Sequence, residues 1–434
     1  MAADTTTGSM MLHRTRIEPL GRCMEANSCL QIDLDSLAHN VSSIRSLCSP
    51  EVRFCAVLKS NGYGLGAAAV APTLIEAGAS MVAVFSPWEA EPLLDLGVPV
   101  LVLMPVRTHD LSPRILMAIN QEQVQFVVHD LNHAQELDEV ARRLAARISV
   151  HVKIDTGLHR GGCDPCQASS LIEGVQRAPG LKLAGVMTHF ADAATSDSMT
   201  STQMERLLQV IDSLHEELPA QTIIHAAGTC GMLRGPTFHG DMVRIGLGWT
   251  GHLTPRAEEL RSRLESPLLP AVSWTSRIAL VRHVAAGEPV GYGGRWVASR
   301  PTRIGMIPVG YGDGYPHDAG CPSDSAGPLV VGLGDEPEDS LLSAPVIGAV
   351  NMDQIAIDLT DAPDSIQEGS SITLVSSCAS SPCSLEALSK RLGRPPHALL
   401  VQIQGHIPRT YVKGRQQEPD RLSSVAAKSA SILG

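Results

Sequence analysis

From position 29 onward, short apolar runs alternate with longer stretches in which apolar residues recur every three or four positions. A short run bounded by polar or turn residues marks a strand buried on both faces, and the three-to-four spacing marks a helix with one buried side. The runs at 53–58, 81–85, 100–103, 125–128, 149–154, 182–188, 222–225 and 242–245 therefore predict eight strands, following an earlier one at 29–34. Leu37, Val41, Ile44 and Leu47 predict a helix directly after that first strand. Further helices are predicted at 67–77, 131–146 and 202–214, the last with Met204, Leu207, Leu208, Ile211 and Leu214 on one side. Eight strands separated by helices over this length predict a (β/α)8 barrel of the TIM type rather than an open sheet, although the third and fourth helices are faintly marked.

The texture changes after Pro267. Runs at 272–282, 302–309, 328–331, 345–359, 371–376 and 398–403 are separated by Gly, Pro and Asp, the residues of turns. They predict a mostly-β second domain with one short helix at 384–392. The stretch 318–343, rich in Ser, Pro, Gly and acids, reads as an extended surface loop. The fold class is thus α/β plus mostly-β, with a disordered tail over 1–28, a barrel over 29–266, a C-terminal β-rich domain over 267–420 and a tail over 421–434.

Composition narrows what such a chain can do. With 434 residues, 44% of them hydrophobic and 18% charged, there is material for a large core. A net charge of −11 argues against a general nucleic-acid or anionic-membrane binder. The most hydrophobic run, 98–104, is strand-sized and too short for a membrane span. Ten scattered cysteines form no paired framework and suit free thiols in a reducing, cytoplasmic setting. Cys163 and Cys166 make a lone pair without the second pair or histidine couple of a zinc site, so no metal is expected. Residues 1–28 lack the continuous apolar core of a secretory signal, and their shortage of acids is a feature shared with transit peptides.

Active sites of such barrels are built from the carboxyl ends of the strands. The run at 53–58 ends in Lys59, followed by Ser60-Asn61-Gly62-Tyr63-Gly64-Leu65-Gly66. A strand-end lysine that loses solvation becomes a usable amine, the state Schiff-base chemistry requires, and glycines let the backbone approach a phosphate or a second chain. Two other readings fit the same stretch. One is a surface lysine capping a strand; the other, through Gly62, Gly64 and Ala67, is the G-x-G-x-x-A fingerprint of a nicotinamide-dependent oxidoreductase. The fifth run leads into Lys153-Ile154-Asp155-Thr156-Gly157-Leu158-His159-Arg160 and the sixth into Thr188-His189-Phe190-Ala191. The seventh leads to His225-Ala226-Ala227-Gly228-Thr229, and the eighth holds Val243-Arg244-Ile245-Gly246-Leu247. Singly, His189 reads as a hydrogen-bonded core histidine, Arg160 as half of a loop ion pair and Thr229 as a helix cap. Together, at matching strand ends, they read as a site.

These segments carry a resemblance to the alanine racemase family. The Lys59 stretch resembles that family's A-V-x-K-A-N-A-Y-G-H-G motif, departing from it at Ser60, Gly62 and Leu65. The patterns K-x-D-T-G-x-x-R, T-H-F-A and V-R-x-G follow in order. Gly291-Tyr292-Gly293 resembles S-Y-G, 305–314 resembles G-x-I-x-I-G-Y-A-D-G, 348–354 resembles G-x-x-C-M-D-Q, and Ile407-Pro408-Arg409 resembles a closing V-P-R. The resemblance spans roughly 29–413.

What it implies is pyridoxal 5'-phosphate as cofactor, a small amino acid (alanine, or serine) as substrate, and racemisation by two bases. Lys59 would bind the cofactor's aldehyde and, once released, exchange the α-proton on one face, with Tyr292 exchanging it on the other. A phenol serves as a base only beside a cation, and His189 and Arg160 are its available partners. The resemblance sets Arg244 against the pyridine nitrogen, which an arginine leaves unprotonated. It sets Tyr63, Thr229, Gly246 and Leu247 around the phosphate, and Arg160, Tyr311 and Met352 near the substrate carboxylate. Lys153 matches a lysine that is carbamylated in many members and orients Arg160. A head-to-tail homodimer is implied, with Lys59 and Tyr292 of one site drawn from different chains. Three departures bear on specificity: His397 where a phosphate-side tyrosine would stand, Asn351 for the usual cysteine beside the substrate, and Gly228-Thr229 for Asn-Ser. A non-catalytic homologue that only binds the cofactor is the remaining alternative.

Overall fold

The computed structural model describes residues 26–320, 328–334 and 342–414. Nearly all of the two expected tails, and part of the 318–343 loop, lie outside them. The chain enters through β1 (Ser28–Asp33), and a helix, Leu34–Arg45, follows at once. Its start is fixed by Asp33, whose carboxylate accepts the backbone N–H groups of Asp35 and Ser36 at 2.9 and 3.1 Å. Leu37, Val41 and Ile44 form its buried side, as their spacing requires.

Eight strands then make one parallel sheet: β2 (Arg53–Val57), β3 (Met81–Val84), β4 (Val100–Val102), β5 (Val124–Val128), β6 (Ile148–Lys153), β7 (Leu181–Met187), β8 (Ile223–His225) and β9 (Met242–Ile245). Every residue of β3 and β4 is buried, which is what a continuous apolar run between helices and barrel interior produces. From β2 to β8 each strand pairs with the next, and β2 also pairs with β9. The seam between β8 and β9 is bridged by two backbone bonds, Asp241 N–H to Ile224 O at 2.8 Å and Arg244 N–H to Ala227 O at 2.9 Å. The barrel is therefore nearly closed. The strand period of two gathers Cys55, Val57, Met81, Ala83, Leu101, Val127, Met187, Ile223 and Met242 into a core cluster of their own. The faintly marked helices are short, a single turn at Pro87–Ala90 and an eight-residue helix at Pro113–Asn120.

The second domain is a nine-stranded sheet with a small hairpin, β12 (Pro289–Val290) and β13 (Trp296–Val297), beside it. Its strands are β10 (Val272–Arg277), β11 (Leu280–Val284), β14 (Thr302–Ile307), β15 (Val330–Leu333), β16 (Leu342–Ile347), β17 (Ile355–Asp358), β18 (Ser371–Val375) and β19 (Arg409–Val412), joined by β1. The order is β11-β14-β17-β16-β15-β18-β10-β1-β19, antiparallel except for β1 with β19.

Several expectations are corrected here. The strand expected to head the barrel stretch, β1, pairs with β10 and β19, so the second domain recruits both ends of the described chain. An apolar run specifies a strand but not its partner. The run 272–282 breaks into β10 and β11, with Ile278 N–H turned aside to Ser370 O at 2.9 Å. The run 345–359 divides between β16 and β17. The strand expected at 398–403 is instead a helical turn, Pro396–Leu400, begun by a proline in its first turn, where a missing N–H costs nothing. A short apolar run cannot by itself distinguish a strand from a buried helix. Cys29 is disulfide-bonded, against the expectation of free thiols, whereas Cys48, Cys55, Cys163, Cys166 and Cys230 are free. Among the described residues no helix is long and apolar enough to cross a membrane.

One buried contact ties the barrel to its mouth. Trp249, fully buried in the turn after β9, donates its indole N–H to the Val57 carbonyl at the end of β2 at 2.9 Å, and meets the Tyr63 ring edge-on at 5.7 Å. Trp249→Phe keeps most of the apolar volume and removes the donor. It is expected to lower the unfolding free energy by about 1–2 kcal/mol, read as a fall in the urea midpoint without a change in slope.

Candidate active site

Beyond Leu58 the chain turns sharply, and Ser60, Asn61, Gly62 and Tyr63 all take left-handed backbone angles (φ 54°, 52°, 65° and 57°). For a residue with a Cβ this costs about 1–2 kcal/mol, so the turn that carries Lys59 must be held from outside. The barrel side holds it through Glu89. One carboxylate oxygen accepts the Ser60 N–H, and the other accepts the N–H groups of Phe85 and Ser86 at 2.9 and 3.0 Å. Inside the turn, Gly62 N–H returns to Leu58 O at 2.7 Å and the Asn61 side chain accepts Ala67 N–H at 2.9 Å. The second domain holds the far end: Arg409 Nε donates to Gly64 O at 2.9 Å and the Tyr411 hydroxyl to Leu65 O at 2.8 Å. A Cβ on Gly64 would lie 2.9 Å from the Leu400 carbonyl, and one on Gly66 only 2.1 Å from the Tyr411 hydroxyl. The glycines thus admit the protein's own second domain. The G-x-G-x-x-A match sits on a barrel, not on the open sheet a nicotinamide fingerprint needs, and that reading falls.

Lys59 opens into a cavity of about 460 Å³ at the carboxyl ends of the strands, lined also by Tyr63, His129, Lys153, Arg160, His189, Thr229, Arg244, Gly246 and Leu247. Four of its lining residues are Lys or Arg and none is acidic. Lys59 faces the solvent in the cavity yet has protein around most of it. This burial, with Arg160 nearby, lowers its pKa, while Glu89 pulls the other way. Burial, then Arg160 and Arg244, bring Lys153 down to about 8. Burial, followed by the charges of Arg244, Arg160, Lys153 and Lys59, holds His189 well below the usual imidazole range, so it is neutral.

Arg244 is buried and held through both of its terminal nitrogens. One terminal nitrogen shares its two N–H groups among Thr188 O (2.8 Å), Ala226 O (2.9 Å) and His189 Nδ1 (3.0 Å), and the other donates to His225 Nδ1 (2.8 Å). Burial lowers its pKa to about 10, still a cation at neutral pH. Thr229 opens the turn Thr229–Leu233 and accepts Gly248 N–H at 3.3 Å. A Cβ on Gly246 would stand 2.1 Å from the Tyr63 hydroxyl, so glycine is what lets that phenol reach the cradle. Tyr63 itself is buried, and burial raises its pKa to about 12. His397, on the turn 396–400, meets Tyr63 edge-on at 6.4 Å and lines an adjoining pocket of about 380 Å³ with Gly228, Thr229 and Leu247. An acid-free cavity with a strand-end amine, a deep guanidinium and backbone N–H groups after glycines fits a phosphorylated aldehyde such as pyridoxal phosphate.

The remaining expected residues lie elsewhere. Tyr292, on the loop of the β12–β13 hairpin, shares a second pocket of about 480 Å³ with Tyr311, Asn351 and Met352. It has no lining residue in common with the Lys59 cavity. Tyr292 is 76% exposed and Met352 56%. Two loops are locked here, Tyr311 N–H to Asn351 O at 3.0 Å and Gly312 N–H to Met352 O at 2.8 Å, and a Cβ on Gly310 would come within 2.2 Å of both carbonyls. The expected set thus divides in two, one group at the barrel mouth and one on the β domain. Sequence reasoning passed over Glu89, Trp249 and Tyr411. Only Glu89 left a signal, three residues after Ser86 in the spacing of a capping box.

Both domains have counterparts among known proteins. Residues 32–254 match the alanine racemase N-terminal domain and 271–411 the alanine racemase C-terminal domain. The alanine racemase of Syntrophobacter fumaroxidans is 34% identical over 382 residues, 87% of this chain and 96% of that one. Among solved structures, alanine racemase from the D-cycloserine-producing Streptomyces lavendulae aligns with a TM-score of 0.78 at 25% identity, covering 90% of this chain and 98% of that one. Alanine racemase from Bartonella henselae with covalently bound pyridoxal phosphate, 23% identical, shares the fold with a TM-score of 0.75 over 89% of this chain and all of that one. With both family domains matched in order and a relative of this similarity covering most of its length, the chain belongs to the alanine racemase family.

Proposed function

We propose that this protein is a pyridoxal-phosphate-dependent racemase that interconverts L- and D-alanine, working as a homodimer with shared sites. The observation that carries the reading is Lys59, on a strained and clamped turn, in the wall of a cavity lined by cations and no acid. When bound, the cofactor supplies an electron-withdrawing ring that accommodates the charge left as the α-proton departs. Lys59 would hold its aldehyde, Tyr63, Thr229 and the N–H groups of Gly246 and Leu247 its phosphate, and Arg244 its ring nitrogen. Arginine donates without surrendering its proton, so the ring nitrogen would stay unprotonated.

Inverting a stereocentre needs proton-handling groups on opposite faces. Lys59, its pKa lowered, serves one face; Arg160 would anchor the substrate carboxylate. The other face is supplied by Tyr292 of the partner subunit, with Tyr311 and Met352 closing the site. Supporting this is the division of the site within one chain, with Tyr292 exposed on one surface and Phe85, 56% exposed, lining the other. Each chain would then bring the surface the other lacks.

Lys59→Ala is expected to abolish racemisation and leave nothing for borohydride to trap; a variant that still yields a trapped adduct and turnover would show that another amine does the work. Mixing Lys59→Ala with Tyr292→Phe chains under subunit exchange should restore part of the activity, because half of the sites in a heterodimer are intact. Continued inactivity after verified exchange counts against the shared site.

Asn351 bears on substrate choice. Its Oδ1 is buried and, among the described residues, has no hydrogen-bond partner. An unpaired acceptor costs about 1–3 kcal/mol, which a serine hydroxyl can relieve and an alanine methyl cannot. Asn351→Cys is therefore expected to lower the serine-to-alanine ratio of kcat/KM by about tenfold. An unchanged ratio removes Asn351 from specificity and leaves the racemase reading intact.

A further inference from the structure

Behind Arg244, a line of polar side chains runs down the barrel interior, where apolar residues are the rule. Arg244 donates to His225 Nδ1 at 2.8 Å; His225 Nε2 lies 2.8 Å from His151 Nδ1; His151 Nε2 lies 2.7 Å from Gln125 Oε1. A guanidinium can only donate, so its direction propagates. His225 must accept at Nδ1 and carry its proton on Nε2. It then donates to His151 Nδ1, which places the His151 proton on Nε2, facing the Gln125 carbonyl oxygen. Gln125 ends the line as a neutral acceptor. No member is left to choose.

The backbone is shaped to admit this line. Between β6 and β7 the register slips: Val150 lies opposite Leu183 but His151 opposite Gly185, so Ala184 is an extra residue in β7. A Cβ on Gly185 would lie 2.2 Å from His151 Nδ1. The bulge and the glycine together clear room for an imidazole that meets the His225 ring edge-on at 4.9 Å. His151 and His225 are both fully buried.

We propose that His151 is a positioning residue for the racemisation: backed by Gln125, it holds His225 in the one tautomer that accepts from Arg244, and so fixes the guanidinium at the cofactor's ring. This rests on the reading of Arg244 as the group facing the ring nitrogen. Burial and the Arg244 charge push His151 down to about 3 and His225 well below its usual range, so both rings stay neutral at working pH. A protonated ring at either place would have to donate toward a neighbour that is itself donating, which would break the line.

The full-length protein labelled with 15N-histidine tests the line directly. Both imidazoles are expected as neutral Nε2–H tautomers from about pH 5 to 8, identified by their loss or shift in His151→Phe, with or without cofactor. A charged ring or an Nδ1–H tautomer at either position overturns the proposal. Kinetically, His151→Phe should lower kcat about 10- to 100-fold with a much smaller change in KM for alanine. His151→Gln, which keeps an acceptor and a donor, should recover most of that loss. Wild-type kcat in His151→Phe, or an equal loss in both variants, overturns the role. Gln125→Leu gives a second route if His151→Phe does not fold. It removes the acceptor that backs His151 and leaves a buried Nε2–H unpaired, so kcat is expected to fall, and wild-type kcat overturns the proposal. Arg244→Lys separates the two levels: full activity there would remove the reading of Arg244 itself, whatever the line does.

Discussion

The turn after Lys59 cannot hold its shape alone. Four successive left-handed residues, three of them with a Cβ, are a conformation that isolated chain would leave. It persists because Glu89 gathers the N–H groups of Ser60, Phe85 and Ser86 on one side while Arg409 and Tyr411 take the carbonyls of Gly64 and Leu65 on the other. The two clamps come from different domains. The position of the amine is therefore a property of the interface between barrel and β domain, and the second domain is needed to shape the site even before a partner subunit is considered.

Electrostatics completes what the turn begins. A cavity with Lys59, Lys153, Arg160 and Arg244 on its walls and no acid among its lining residues repels its own charge, which burial makes worse. The protein relieves this by lowering the pKa of Lys59 and Lys153 and keeping His189 neutral, and it leaves the rest to an anionic ligand. Arg244 is the fixed point. Its donor bonds face His189 on one side and His225 on the other, so a single guanidinium calls for an accepting Nδ1 on two imidazoles.

The β domain does two separate jobs. Through β19 and the turn at 396–400 it braces the Lys59 loop, and through the β12–β13 hairpin and the loops around Tyr311 and Asn351 it presents a second polar surface. Those loops are tied to one another by backbone bonds, with Gly310 lying against the Asn351 and Met352 carbonyls. A surface so fixed yet so exposed suits docking against another rigid body.

Much was legible in the sequence because it depends on local pattern. Apolar runs of strand length gave all eight barrel strands, since burial on both faces writes itself into consecutive residues. Strand-end placement grouped Lys59, Arg160, His189, Thr229 and Arg244, because a parallel barrel delivers all its carboxyl ends to one mouth. Tyr292, Tyr311, Asn351 and Met352 were legible as motifs, but nothing local says that they share a pocket apart from Lys59. Pairing was the other blind spot. That β1 joins β10 and β19, that 396–400 is helical, and that Ala184 bulges to let His151 in are choices made by distant contacts on segments whose own pattern permits more than one answer. Sequence alone determined which residues can do chemistry and which strands line up to carry them. Only the tertiary structure decided which face of each strand looks inward and which distant groups hold the Lys59 turn, because both are settled by packing between parts of the chain that no local pattern connects.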